Sequence, residues 1–559
     1  MRKIIKFLAI VFLSSGLQAG LMAQSNSYSG SLSGNMEIDF QHYTPDAKIG
    51  ADTVREKIGF QSFANLIYRN KNLEAGLRYE VFAPPLQGID ADFQGHGIAH
   101  RYLTYRHDLI EITAGHFYEQ FGSGLTLRSY NEWALGYDNA IDGVRIKLKP
   151  VKGITIKGLV GKHRNYWRNS PGTIRGVDGE IYTNQLLPFL KDKKTKIILG
   201  GSFVSRFQED KSINYKIPEN VGTYAGRAKI IHGGLRFKGE YAHKINDPSS
   251  INNFIYKPGK ALLLEGTYSK RGYGLTVTAK RIDNMSFKSD YNATGIPMDI
   301  NFLPSLSVQS TYELANIYPY ATQPTGEMGI QGSFYYMFKR NSTLGGKYGT
   351  RFTIDYTRIQ DIEREAPTDT TYVGEPGTMG YDSDFFQWSS LTFFENLNIG
   401  FDKKINSDWK LHLEYASITY DPLIKGDQGA DKVNAHLGIA DIEYSLKMRQ
   451  SIRLELEHIF TDQENMHEDD FSAGDWAMAL VEYNVKDYFF AVKDLYNYRN
   501  PSPGISDIHY FNVAAGVTKG PNRIAISYGR QREGINCVGG VCRPEPAANG
   551  LKITITSNF

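Results

Sequence analysis

The sequence predicts an all-β protein, a transmembrane antiparallel up-and-down β-barrel of the outer membrane with about 24 strands. Three observations support this prediction. Apolar and polar residues alternate with a period of two along nearly the whole chain, short turns alternate with long polar connections, and the chain begins with an export signal. A membrane barrel produces the first two features together, because its strands cross the bilayer and are joined at opposite rims in turn.

The composition excludes several other classes of protein. The chain has 559 residues, of which 22% are charged and 13% aromatic. A polytopic helical membrane protein is excluded because each span needs about 20 consecutive apolar residues. The β-branched and aromatic content excludes intrinsic disorder. Two cysteines are too few for a disulfide scaffold or a cysteine-rich metal site.

Residues 1–23 are predicted to be a cleaved signal peptide, and residues 24–559 a single barrel domain. A basic start at Arg2 to Lys6 is followed by the apolar stretch from Phe7 to Leu13 and by a cleavage site after Ala23. An uncleaved anchor is the alternative, but this apolar stretch is too short to span a bilayer. Without the basic start, basic and acidic residues balance, so we expect no nucleic-acid partner.

The alternation assigns one face of each strand to lipid and the other to the lumen. Charge in hydrocarbon costs several kcal/mol at mid-depth, so the charged face must be wet or paired across strands. The residues expected to face the lumen are Arg145, Lys147, Lys149, Lys157, Arg236, Lys238, Glu240, Lys410, His412, Glu414, Arg453, Glu455 and Glu457. The sequence leaves open whether this lumen is an open conduit or is plugged by loops.

The connections alternate in length, which places short turns in the periplasm and long loops outside. Short turns are predicted near residues 70–72, 107–109, 151–153, 190–194, 232–234, 270–273, 339–347, 405–408, 448–450, 485–487 and 520–522. The longer connections include 122–142, 164–172, 208–220, 245–259, 288–328, 361–388, 421–433, 462–475 and 534–549. Both termini then lie on the periplasmic side and the number of strands is even, as in single-chain bacterial barrels.

No catalytic, cofactor or metal site is predicted. The acidic stretches 462–475 and 361–384 offer oxygen ligands for calcium, but they lack the spacing and turn glycine of a calcium loop, so solvated loops are favoured. No H-E-x-x-H spacing occurs, and Gly122 to Gly124 do not form a nucleophile elbow. We therefore expect that the protein is not an enzyme.

Two long connections are less polar than a solvated loop. In the first, residues 118–143, the residues Glu119, Arg128, Glu132 and Trp133 are predicted to constrict the lumen. Arg128 is expected to pair with Glu119 or Glu132, and Trp133 to be shielded from water, because an unpaired buried charge is costly.

The second connection contains the segment Tyr312–Ala321. We expect this segment to pack over or beside the first loop, hiding Leu314, Ile317 and Tyr320 from solvent.

The cysteines and tryptophans give two further predictions. Cys537 and Cys542 are predicted to form a local disulfide, since glycines between them allow a tight turn and an exported chain leaves the reducing cytoplasm. Trp409 and Trp476 are predicted to lie in the aromatic girdles at the membrane interfaces. The other three tryptophans, Trp133, Trp167 and Trp388, are assigned to loops.

Several stretches carry a resemblance to a known family. They are Phe117 to Gly124, Ile317 to Pro324, the signal ending Ala23-Gln24 and the tail from Ile553 to Phe559. The chain resembles an uncharacterised family of Bacteroidetes outer-membrane β-barrels, domain of unknown function 6029. The resemblance implies the fold and the location, and it brings no substrate or catalytic residue.

The sequence as a whole predicts a porin-like channel or a transporter of solutes, with its lumen narrowed by inward loops. The alternative is a non-conducting barrel subunit of a larger envelope, secretion or surface-binding complex. A TonB-dependent transporter is disfavoured, because such a protein needs a long plug segment before its barrel and the first strand here is expected to begin near Ser29. The expected partners are outer-membrane lipid, the barrel-assembly machinery through the terminal strand ending in Phe559, and other envelope proteins.

Overall fold

The computed structural model describes residues 30–295, 298–426, 431–462, 473–500, 506–538 and 541–559. In this part of the chain, 24 antiparallel strands form one sheet. The sheet closes into a barrel because the first strand pairs with both the second and the last. The prediction of an all-β barrel with about 24 strands is therefore confirmed. The predicted signal peptide, residues 1–23, lies outside the described residues.

The strands are numbered along the chain. They are β1 (Ser31–Tyr43), β2 (Ile58–Asn70), β3 (Leu73–Phe82), β4 (Gly95–Arg106), β5 (Ile110–Phe117), β6 (Gln120–Phe121), β7 (Leu127–Arg128), β8 (Asn131–Glu132), β9 (Tyr137–Asp138), β10 (Ile141–Leu148), β11 (Ile154–Asn165), β12 (Arg168–Tyr182), β13 (Thr195–Phe207), β14 (Asn220–His232), β15 (Leu235–Lys244), β16 (Gly259–Lys270), β17 (Tyr273–Asp283), β18 (Gly326–Phe338), β19 (Thr350–Ile362), β20 (Trp388–Lys404), β21 (Trp409–Tyr420), β22 (Val433–Lys447), β23 (Gln450–Asp462), β24 (Asp475–Val485), β25 (Tyr488–Tyr498), β26 (Ile508–Lys519), β27 (Asn522–Gln531), β28 (Gly534–Val538), β29 (Val541–Glu545) and β30 (Ala548–Asn558).

Six of these strands lie in loops, where they form the two-stranded ladders β6–β7, β8–β9 and β28–β29. One α-helical turn, α1 (Thr183–Leu186), and several short 3-10 turns complete the described elements. No helix among the described residues is long and apolar enough to cross a membrane.

The strands expose apolar residues on the outside of the barrel and direct charged residues inward. On β10, Val144, Ile146 and Leu148 are 37–40% exposed on the outer surface. Arg145, between them, faces the lumen and forms ion pairs with acidic side chains there. Backbone groups are paired around the closed sheet, so the outer surface can face hydrocarbon.

The barrel has a turn rim and a loop rim, defined by its short and long connections. Pairs of residues join strands at 71–72, 233–234, 271–272, 448–449, 486–487 and 520–521, and most connections at the opposite rim are longer. The predicted loop at 164–172 is wrong, because β11 and β12 continue through it and meet at residues 166–167. Its residues are polar on both faces, which a strand tolerates where it rises into water above the bilayer.

Two of the tryptophans, Trp476 and Trp388, do not lie where the sequence predicted. Trp409 begins β21 on the outer surface and stacks on Tyr444 with ring centroids 4.4 Å apart, as expected of a girdle residue. Trp476 is buried inside the barrel against Tyr510, so its assignment to the girdle is wrong. Trp388, predicted to lie in a loop, is the first residue of β20.

Candidate functional site

The loop between β5 and β10, residues 118–140, crosses the lumen. The backbone N–H of Ser123 donates to Glu240 Oε2 at 2.7 Å on β15. Farther along the loop, the indole N–H of Trp133 donates to Asp39 Oδ2 at 3.4 Å on β1. Because β1 and β15 are the first and eleventh strands around the barrel, a loop touching both inner faces obstructs the lumen.

Asp138 fixes this loop to the wall. Its carboxylate forms an ion pair with Arg78, lies 2.7 Å from Arg164 Nη1, and accepts a hydrogen bond from Tyr118 Oη at 3.0 Å. Both guanidiniums also bind Glu80, at 2.7 Å and 2.5 Å. Burial raises the pKa of the Asp138 carboxyl, but the two guanidiniums outweigh this effect and hold that pKa below its ordinary value.

The predicted pairing of Arg128 with Glu119 or Glu132 is wrong. Glu119 instead accepts hydrogen bonds from Lys157 Nζ at 2.8 Å and Arg145 Nη1 at 3.2 Å. These wall cations project beside Glu119, so they neutralise it without help from the loop. Glu132 turns back to accept from the backbone N–H of Ala134 at 3.4 Å.

Arg128 stacks between two aromatic rings. Its guanidinium carbon lies 4.5 Å from the ring centroid of Tyr130 and 4.0 Å from that of Phe302. Cation–π contacts of this kind stabilise by about 0.5–2 kcal/mol, depending on desolvation. Since Phe302 belongs to the connection between β17 and β18, the stacked Arg128 joins the first luminal loop to that connection.

Trp133 packs on the inner wall but keeps part of its surface open. Its ring centroid lies 4.5 Å from that of Phe63 on β2 and 5.6 Å from that of Phe82 on β3. The remaining ring surface borders a cavity described below. The residue is therefore in contact with the lumen wall and also narrows the space beside it.

The second luminal loop is the connection between β17 and β18, and its described residues, 284–295 and 298–325, cover the opposite wall. The backbone N–H groups of Glu313 and Leu314 donate to the Glu457 carboxylate at 3.0 and 2.8 Å, and Lys493 Nζ lies 2.5 Å from Glu313 Oε2. Leu314, Ile317 and Tyr320 are buried.

Their cover consists of inward residues of β19 to β26, rather than the first loop. The two luminal loops meet instead at residues 299–302, where Arg128 N–H donates to the Ile300 carbonyl at 2.9 Å and Asn139 Nδ2 to the Asp299 carbonyl at 2.7 Å. The predicted position of Tyr312–Ala321 over or beside the first loop is therefore wrong.

A cavity of about 490 Å³ remains between the first loop and the wall formed by β30, β1 and β2. Its polar lining was not identified from the sequence, although the inward phase of β1 could have revealed it. The lining residues are Glu37, Asp39, Gln41, Tyr43, Gln61, Leu86, Gln87, Ile89, Glu132, Trp133, Ala134, Gln531, Arg543, Glu545, Pro546, Ala548, Lys552 and Thr554.

A second cavity, of about 890 Å³, opens among the loops at the loop rim. Its lining is mainly apolar and aromatic, including Phe93, Tyr137 and Tyr166. The two cavities are neighbours, since both are lined by Ile89, Arg543, Glu545 and Pro546. We call the two together the side passage.

The hairpin β28–β29 forms one wall of this passage. Cys537 and Cys542 face each other across the ladder and are joined as a disulfide, with an S–S distance of 2.02 Å. Near the base of the hairpin, the Arg543 guanidinium donates to the Ala134 carbonyl at 3.1–3.2 Å. The hairpin is thereby attached to the first luminal loop.

Within the described ranges, no three His, Cys, Asp or Glu side chains are grouped closely enough to hold a metal ion. Most of the acidic stretch 462–475 lies outside those ranges. In the other acidic stretch, Asp361 binds Arg364 at 2.7 Å.

No curated protein matches the sequence. Among solved structures, the chain is similar to the siderophore receptor PirA from Pseudomonas aeruginosa, with 10% identity over 95% of this chain and 80% of that chain, at a TM-score of 0.40. A mutant of the ferric enterobactin receptor PfeA from Pseudomonas aeruginosa matches with 11% identity, 95% and 81% coverage, and a TM-score of 0.45. The P pilus usher PapC translocation pore matches with 7% identity, 94% and 99% coverage, and a TM-score of 0.43.

At these identities the structural likeness concerns the fold alone. The sequence also matches the model of a family of unknown function, DUF6029, over residues 1–559. The chain therefore belongs to the family of unknown function DUF6029.

Proposed function

We propose that this protein is a narrow channel of the outer membrane, through which small solutes cross beside the luminal loops. The side passage is the observation that supports this function. It leads from the loop rim, past Trp133, along the inner face of β1 from Tyr43 to Glu37. The six steps from Tyr43 to Glu37 extend over about 20 Å of strand, and at the roughly 40° tilt of such strands they rise about 15 Å, more than half of the roughly 25 Å apolar band.

The size of the passage limits the solute. Its inner cavity of about 490 Å³ holds roughly 16 water molecules at about 30 Å³ each. A barrel of 24 strands with an empty lumen would be far wider. The luminal loops thus convert a wide barrel into a path for small molecules.

Single-channel recording in planar bilayers tests the proposal. The full-length protein should conduct weakly, and deletion of residues 125–140 should raise its conductance severalfold because that segment obstructs the lumen. Deletion of the exposed loop segment 366–370 serves as a control and should leave the conductance unchanged. Absence of conductance in both the wild type and the 125–140 deletion would overturn the proposal.

Point variants give a finer test with a matched control. Trp133→Ala removes an indole from the wall of the passage and should raise the conductance about twofold or less. Trp409→Ala removes the same side chain from the outer surface of the barrel, where it stacks on Tyr444 and does not line the passage, so the conductance should remain that of the wild type.

A second candidate function is a non-conducting subunit of an envelope or surface-binding complex. The observation in its favour is the buried attachment of the first loop, through Asp138, to Arg78 and Arg164. In that case the wild type would not conduct, whereas the 125–140 deletion would. Partners that co-purify with the wild type should then be lost when the surface hairpin β28–β29 is removed.

A further inference from the structure

We propose that the side passage selects small organic cations, namely amines with an apolar body. This inference rests on the proposed channel function and specifies the solute. It is derived from the charge of the passage, from a buried acceptor without a donor, and from the aromatic lining at the loop rim.

The passage carries more negative than positive charge. Its six carboxylates are those of Glu37, Asp39, Asp90, Glu132, Glu533 and Glu545, and its two cations are Arg543 and Lys552. Arg543 donates to the Ala134 carbonyl and lies 3.7 Å from Glu545 Oε1, so its charge is already balanced. A solute in the passage therefore meets a negative potential, which raises the local concentration of cations.

Glu37 is the carboxylate with the fewest partners. Asp39, two residues away on the same face of β1, accepts a hydrogen bond from Thr554 Oγ1 at 2.9 Å. In contrast, no described residue forms a hydrogen bond or an ion pair with the Glu37 side chain, which is half-buried. The charges of Asp39 and Lys552 act on it with opposite signs, and the carboxylate oxygens remain open to a passing cation at the inner end of the passage.

Gln61 provides an independent sign that a donor belongs here. Its side chain lines the passage and is 95% buried, with a relative exposure of 5%. Nε2 is directed at Asp39 Oδ2 at 3.5 Å, a long contact that assigns the nitrogen end of the amide to Asp39. Oε1 accepts no hydrogen bond from the described residues, and a buried acceptor of this kind is rare without a partner. Oε1 is itself covered, so an ammonium N–H in the passage supplies the missing donor once the Gln61 amide turns toward it.

The loop-rim part of the passage favours an organic cation over a bare metal ion. Phe93, Tyr137 and Tyr166 line it together with Ile89 and Leu135. Apolar and aromatic surface gains free energy by covering the carbon atoms of a solute, and aromatic faces attract alkylammonium groups. Hydrated metal ions gain neither contribution.

Reversal potentials of the full-length protein in bilayers test this selectivity. Under a tenfold gradient of propylammonium chloride, whose cation has an apolar body and three N–H donors, the wild type should pass the cation several times more readily than chloride. Glu37→Gln and, separately, Glu545→Gln should each lower this ratio about threefold, the Boltzmann factor of one unit charge at roughly 6 Å in water. The matched control is Glu265→Gln, which removes a carboxylate from β16 across the lumen, outside the passage.

The possible outcomes separate the two proposals. Absence of any current would overturn the channel function itself. A current that is unselective or favours chloride would leave the channel intact and refute the inference. Selectivity that falls equally in Glu265→Gln would also refute it, because the whole lumen rather than the side passage would then set the preference.

Discussion

Replacing Asp138 with asparagine should release the first luminal loop from the barrel wall. In the wild type, the carboxylate pairs with Arg78 and Arg164 and accepts hydrogen bonds from Tyr118 Oη and the Ala140 N–H, each at 3.0 Å. The asparagine side chain is neutral, so Glu80 would be left to balance two buried guanidiniums.

The size of the effect follows from burial. The side chains of Asp138, Arg78 and Arg164 are 4–7% exposed, so solvent cannot replace the lost charge. Breaking a buried ion pair by removing one partner costs about 3–5 kcal/mol. At 1.4 kcal/mol per factor of ten, the equilibrium for docking of the loop should fall between roughly a hundredfold and a few thousandfold.

Hydrogen exchange measured by mass spectrometry can detect this change. Peptides covering residues 128–140 include the N–H groups of Arg128 and Ala140, both hydrogen-bonded in the docked loop. Their exchange should accelerate by the factor given above, while the barrel strands remain protected.

The control is Asp142→Asn, four residues farther along, where the carboxylate is 22% exposed and lies 3.6 Å from Arg101. A partly exposed pair of this kind contributes about 0–1 kcal/mol, so exchange should change by about fivefold or less. Protection of residues 128–140 that is unchanged in Asp138→Asn would show that the ion pairs do not hold the loop.

Three further predictions concern pH, the disulfide and the tryptophans. The pKa of Asp138 is lower in the folded protein than in the unfolded chain. The free energy that Asp138 contributes to docking of the loop is therefore fully present above the unfolded pKa of about 3.9 and is lost as the pH falls through the lower folded value. Hydrogen exchange of residues 128–140 should accelerate only below about pH 4. In the unreduced protein, Cys537 and Cys542 should resist a thiol label, and labelling of both would contradict the bond between them. Their double replacement by serine should cost about 2 kcal/mol in the hairpin without altering the barrel, as read from gel mobility with and without heating. In single-tryptophan variants, brominated lipid should quench the fluorescence of Trp409 on the outer surface and spare that of Trp476 in the lumen. The reverse result would mean that Trp476 and the alternate residues of β24 face the lipid.

The barrel could be predicted from the sequence because its determinants are local. A strand with lipid on one side and water on the other must alternate, as Val144 to Leu148 do on β10. Turns of two residues, such as Gly233-Gly234, are visible as glycine or polar breaks between alternating segments. Counting these breaks determined the number of strands, since each turn requires two strands beside it.

The alternation of apolar and polar residues failed to predict which side chains face the lumen where both faces of a strand have the same polarity. On β24, Trp476, Met478 and Leu480 face the lumen, while Ala477, Ala479 and Val481 face outward, so both phases are apolar. The lumen is apolar at this height because the second loop packs there, and the alternation then no longer distinguishes inside from outside. At 164–172, both faces are polar, because the strands extend above the bilayer.

The contents of the lumen were decided by the tertiary structure alone. Glu119 lies 26 residues from Arg145 and 38 residues from Lys157, its two partners, and Arg128 contacts Phe302 from a different loop. Nearest charges along the chain therefore did not predict the pairs, because a side chain binds whichever partner the closed barrel brings within about 3 Å of it. The side passage arises in the same way, between β1, the last strand and a loop from a third part of the chain, which come together only when the sheet closes.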